Sequence, residues 1–119
     1  MKPLIKNMPR EEAVALADLV QIQPGQVVSR TLVQNDQVSL TLFAFDKGEE
    51  ISAHESPGDA LATVLSGEGA FTVEGKTHEV KAGESLLMPA KKPHAVRGKE
   101  AFKFLLTVVF SPEKKGKKE

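Results

Sequence analysis

Three histidines, His54, His78 and His94, carry most of the chemistry open to this chain. His54 begins the stretch HESPGDA, with Glu55 beside it and Asp59 five residues on; His94 follows forty residues later. An imidazole near neutral pH can hold a metal, accept or donate a hydrogen bond, or move a proton. His78, in GKTHEVKAG, shares a strand face with Val80 close to a hairpin and reads as structural. Ser56 offers a pocket hydroxyl. No Gly-x-Ser-x-Gly elbow surrounds it, and no histidine–acid pair is evident to activate it as a nucleophile. There is no cysteine, which excludes disulfides, thiolate metal sites, iron–sulfur clusters and a cysteine nucleophile.

The elements that must position these side chains are short strands. From Val27 onward the apolar period is two, in segments 27–34, 37–45, 49–54, 60–66, 70–74, 77–81, 85–89, 94–96 and 101–110. Turn signals separate them: Asn35-Asp36, Asp46-Lys47-Gly48, Ser56-Pro57-Gly58-Asp59, Gly67-Glu68-Gly69, Gly75-Lys76 and Ala82-Gly83-Glu84. Many short strands punctuated in this way imply an all-β sandwich or barrel. The glycines serve backbone turns. GEG leads into a strand rather than a helix, so it makes no phosphate loop.

Residues 1–26 differ from the rest. Asn7 is placed to cap a helical turn through Pro9, Arg10, Glu11 and Glu12. Val14, Leu16, Leu19 and Val20 make a weak apolar stripe up to Pro24-Gly25. This is expected to be an N-terminal arm lying across the barrel or a partner subunit, with the barrel over 27–110 and a flexible lysine-rich tail over 111–119. Two strands are apolar on both faces. Val38, Leu40, Leu42 and Ala44 oppose Phe43 and Phe45, while Phe102, Phe104, Leu106 and Val108 oppose Leu105 and Val109. Something must cover the outside, either the arm or a second subunit, and a homodimer is expected. Arg30 lies on the face of Val28 and Leu32 and reads as a solvated or interfacial cation.

Composition narrows the partners. The 119 residues suffice for one domain, with 40% apolar residues. Sixteen basic and sixteen acidic residues leave no net charge, which argues for neither nucleic acid nor an anionic membrane as partner. Six phenylalanines, with no tyrosine or tryptophan, weaken any case for stacking on bases or sugars. No window approaches a membrane span and no signal-peptide core is present, so a cytoplasmic location is expected.

The glycine-punctuated strands and the two placed histidines resemble the cupins, small double-stranded β-helix (jelly-roll) barrels. The resemblance covers roughly residues 27–110. The first cupin motif is similar to GEEISAHESPGDALATVLSG, 48–67, where Gly48, Gly67 and His54 match. Ser56 stands in the second histidine position and Ala60 in that of the glutamate. The second motif is similar to GESLLMPAKKPHAVRG, 83–98, where Gly83, Pro89 and His94 match; Lys91 and Gly98 replace the usual glycine and asparagine. The resemblance implies a cage of three histidines and one carboxylate facing into the barrel, of which two imidazoles remain. Asp59 is one residue early for the missing glutamate, and such an offset on a strand turns a side chain to the opposite face. It would serve as a third ligand only through a bulged turn.

Two readings of His54 and His94 follow. They hold a divalent transition metal (Zn, Fe, Mn or Ni), with water or Asp59 completing the shell, or they are neutral imidazoles lining a pocket without metal. The expected function is binding of a small molecule in an apolar pocket with polar points at His54, Ser56 and His94, without robust catalysis. The alternative is a metal-dependent enzyme, an oxygenase, isomerase or decarboxylase, with a reduced two-histidine site. A sensor or accessory module lacks any appended DNA-binding motif to support it.

Overall fold

The structure, a computed structural model, describes residues 3–112. Among the described residues a 3-10 turn over Leu16–Leu19 precedes nine strands: β1 (Val27–Gln34), β2 (Val38–Phe45), β3 (Glu50–His54), β4 (Asp59–Ser66), β5 (Glu68–Val73), β6 (Lys76–Lys81), β7 (Ser85–Met88), β8 (His94–Gly98) and β9 (Phe102–Val109). They form a five-stranded sheet in the order β1-β2-β9-β4-β7 and a four-stranded sheet in the order β3-β8-β5-β6. All pairs are antiparallel. This is the all-β barrel that the alternation and turn signals imply, in the double-stranded β-helix form that the resemblance implies.

The local chemistry of the turns sets the strand ends. At the β1–β2 hairpin the Asn35 side-chain oxygen accepts hydrogen bonds from the Gln37 and Val38 amides, a side-chain mimic of a backbone turn. At the entry to β5, Gly69 packs its α-carbon against the Phe102 ring, where a methyl group would collide with ring carbons.

The two sheets face each other across a core of Phe45, Ala62, Val64, Phe71, Phe102 and Phe104, all nearly inaccessible to water. Phe102 and Phe104 stack with ring centroids 5.2 Å apart, and Phe71 meets Phe104 edge-on at 5.3 Å. Burying each such ring contributes about 1.5–3 kcal/mol. The phenylalanines from β2, β5 and β9 therefore form the aromatic part of the core between the sheets.

The arm departs from its expected form. Asn7 caps no helix; its backbone is left-handed at φ 64°, and its side-chain amide donates to the Thr31 carbonyl. The single helical turn lies further on, at Leu16–Leu19, and has no capping side chain. The arm lies on the outer face of the five-stranded sheet. Val20, Leu16, Leu19 and Ile22 join Leu32, Val33, Leu42 and Ala44 in a second apolar cluster. Arg30 donates to the Leu19 carbonyl and Lys103 to the Ala17 carbonyl, so both cations pin arm to sheet. Much of the outer apolar surface of β1 and β2 is covered in this way from within the chain. Leu61, Leu87 and Val109, further along the same face, stay exposed. Most of the expected tail, 113–119, lies outside the described residues.

Candidate functional site

β3 and β8 bring the two histidines together. Glu50 pairs with Arg97 and Ile51 with Val96, after which the register slips and His54 pairs directly with His94. From Ile51 to His54 is three residues, but from Val96 to His94 only two, so β3 carries one extra residue. Strict alternation would put Ala53 on the inner face with Ile51; the extra residue turns His54 there instead. The two rings lie with centroids 4.5 Å apart and planes 60° apart.

They border a cavity of ~50 Å³, room for a few water molecules, whose other walls are Phe43, Ile51, Met88, Val96, Phe104 and Leu106. Apart from the Met88 thioether, those six side chains bring only hydrocarbon to it. His94 is 4% exposed and sits at the inner end, while His54 is exposed and stands at the mouth.

Both rings are oriented in the same way. His54 Nδ1 lies 3.1 Å from the Ser52 carbonyl and His94 Nδ1 lies 3.2 Å from the Lys92 carbonyl, each two residues back along the chain. A carbonyl only accepts, so each Nδ1 carries the proton, and in the neutral ring Nε2 is left with a free lone pair. Burial lowers the pKa of His94 below its ordinary 6.5; the bond to Lys92 opposes this, and the neighbouring His54 ring adds to it.

Ser56 and Asp59 are not brought to the pair. The Ser56 hydroxyl accepts the Gly58 amide within its own turn, and its carbonyl accepts from Lys91. Asp59 sits on the outer side of β4, opposite exposed Val109, and its carboxylate accepts the Ala90 amide at 2.8 Å. The loop before His94 is thus tied by two hydrogen bonds to the loop after His54. Ala60 points inward between Val108 and Met88. The four-ligand cage is therefore not assembled: among the described residues no group of three or more His, Asp or Glu could hold an ion. His78 pairs with Phe71 on β5 and is not among the residues lining the cavity. Met88 is buried in the core and also lines the cavity.

Comparison with known proteins agrees with the architecture. The model of the cupin domain family matches residues 41–110, more than half of the chain. A crystal structure of a conserved protein of unknown function from Streptococcus pyogenes superposes with TM-score 0.90 and 42% identity, covering 92% of this chain and 96% of that one. A cupin superfamily protein from Desulfitobacterium hafniense gives TM-score 0.86 and 36% identity over 90% and 98% of the two chains. The chain is also 29% identical over 86 residues to the dimethylsulfoniopropionate lyase DddW of Ruegeria pomeroyi, covering 67% of this chain; it spans 57% of the lyase's length. No helix among the described residues is long and apolar enough to cross a membrane.

Proposed function

The chain belongs to the cupin family, and on that premise we propose that it binds a small ligand in the cavity between its sheets, without robust catalysis of its own. The observation that carries this reading is the matched pair of tautomers. His54 and His94 border an otherwise apolar cavity, and with Nδ1 facing a backbone carbonyl each neutral ring keeps its lone pair on Nε2. Such a site takes an electron-pair acceptor: a hydroxyl or amine hydrogen on a small apolar body, or a cation. It disfavours a carboxylate, which would need an imidazolium to meet it, and burial opposes the charge on His94. Catalysis by proton transfer would call for a carboxylate orienting one of the rings, and backbone carbonyls take that place here.

The test is a fragment screen followed through the ring C–H resonances of His54 and His94. Alcohols and amines with compact apolar groups should shift both sets of signals, and His94→Ala should abolish binding. A screen in which only carboxylates bind, or nothing does, would overturn the reading.

The second reading, a metal-dependent enzyme, is favoured by the similarity to a lyase. Metal analysis of protein purified without chelator or nickel resin separates the two. Stoichiometric Zn, Fe, Mn or Ni, lost in a His54→Ala/His94→Ala variant, would support the enzyme. We also propose that a second copy covers Leu61, Leu87 and Val109, making the protein a homodimer.

A further inference from the structure

The cavity that His54 and His94 border is small, and its walls differ in how far they can yield. Its ~50 Å³ holds about four water molecules, or a ligand of about four non-hydrogen atoms. Met88, Val96 and Phe104 are almost inaccessible to water. Phe104 is wedged against Phe45, Phe71 and Phe102, with ring centroids 5.8, 5.3 and 5.2 Å away. Walls packed in this way do not retreat for a larger guest. Phe43, Ile51 and Leu106 line the same cavity but are only half-buried. Phe43 is the largest of the three. It is the register partner of Phe104 across the β2–β9 ladder, and the two rings stack with centroids 5.1 Å apart and planes 17° apart.

We propose that Phe43 is the specificity-determining residue of this pocket and sets the size of ligand it accepts: alcohols and amines of no more than about four non-hydrogen atoms. Two features single out Phe43 among the walls. It is half-buried, so its ring can be removed without emptying the sealed part of the core. Its removal also bares the face of Phe104, an aromatic surface on which the ring of a larger ligand can stack in its place. Ile51 and Leu106 are smaller, and truncating either opens less room. The proposal rests on the reading above, that the cavity takes a hydroxyl or amine at the two imidazoles, and it adds the size limit and the residue that imposes it.

The test is a titration of the full chain with methanol, ethanol, 2-propanol, cyclohexanol and benzyl alcohol, and with the matching amines, followed at the His54 and His94 ring signals. In the native protein the series up to 2-propanol should give saturating shifts, and cyclohexanol and benzyl alcohol should give none. Phe43→Ala should bind benzyl alcohol at least about tenfold more tightly than the native protein does, the discrimination that even one methylene commands in an apolar pocket. Phe43→Leu, which keeps more of the packing, should move the limit in the same direction, so the outcome does not hang on the folding of one variant. Phe71→Leu alters a core ring that does not line the cavity and should leave the series unchanged. Cyclohexanol or benzyl alcohol binding to the native protein, a limit that neither Phe43 variant moves, or one that Phe71→Leu moves as far, would overturn the size filter and leave the pocket standing. If no alcohol or amine shifts the ring signals in any of these proteins, the pocket and the filter fail together.

Discussion

His54 and His94 are direct partners across the β3–β8 ladder, and each holds its Nδ1 proton on the carbonyl two residues before it. The repeated geometry means that one small element, a slip of one residue in β3, both aims His54 inward and fixes what the pair can bind. Binding and stability should therefore both respond to pH through His94.

In the metal-free protein, acid should destabilise the fold. The folded-state pKa of His94 lies below the 6.5 of an unperturbed ring, chiefly through burial. Between those two values the unfolded chain binds more protons than the folded one, so stability rises with pH through that window and levels off above about 6.5. Thermal melts from roughly pH 5 to 8 should show a falling melting temperature below about 6.5, and His94→Asn should flatten the curve. A curve unchanged by that substitution would count against the buried neutral ring.

Asp59 should behave as a tie between loops and not as a ligand. Its carboxylate holds the Ala90 amide four residues before His94. Asp59→Ala should cost about 1 kcal/mol, because the amide can turn to water at this exposed position. Hydrogen exchange should quicken at Ala90 and Lys91, with Asn restoring part of the protection. Ligand affinity should fall less than in His94→Ala; an equal fall would place Asp59 in the site.

Gly69→Ala should be among the costly single-methyl changes. The added carbon would run into the Phe102 ring, which is itself fully buried against Phe45, Phe71 and Phe104. Overpacking of this kind costs about 1–3 kcal/mol. Denaturant midpoints measure it, and a midpoint within error of the native one would mean that the ring can yield.

Light scattering at micromolar concentration should return twice the 12.9 kDa chain mass. The arm already covers much of β1 and β2, so the dimer rests on what remains: Leu61 and Leu87, register partners on β4 and β7 that are 39% and 57% exposed, and Val109. Leu61→Lys/Leu87→Lys should shift the mass to that of the monomer. A native protein that already runs as a monomer sinks the dimer.

The strands could be read from the chain almost residue by residue. Apolar alternation and turn residues are local properties, and a strand with one face in a core must show them. The same alternation identified both faces of β2 and β9, and the motif spacing singled out His54 and His94. What each side chain meets was not local. Counting by twos from Ile51 gives His54 the wrong face, and only the extra residue in the β3–β8 pair corrects it, because register is settled between strands. Ser56 has the right parity for a pocket hydroxyl, yet its turn spends that oxygen on the Gly58 amide. Asn7 has the residue type of a helix cap, but the edge of β1 offers its amide the Thr31 carbonyl. Met88 reads from the sequence first as a core residue, with contact to a bound cofactor as the lesser reading. Only the closure of one sheet over the other brings it to the cavity that His54 and His94 border, since a cavity belongs to the packing of distant strands and has no signature along the chain.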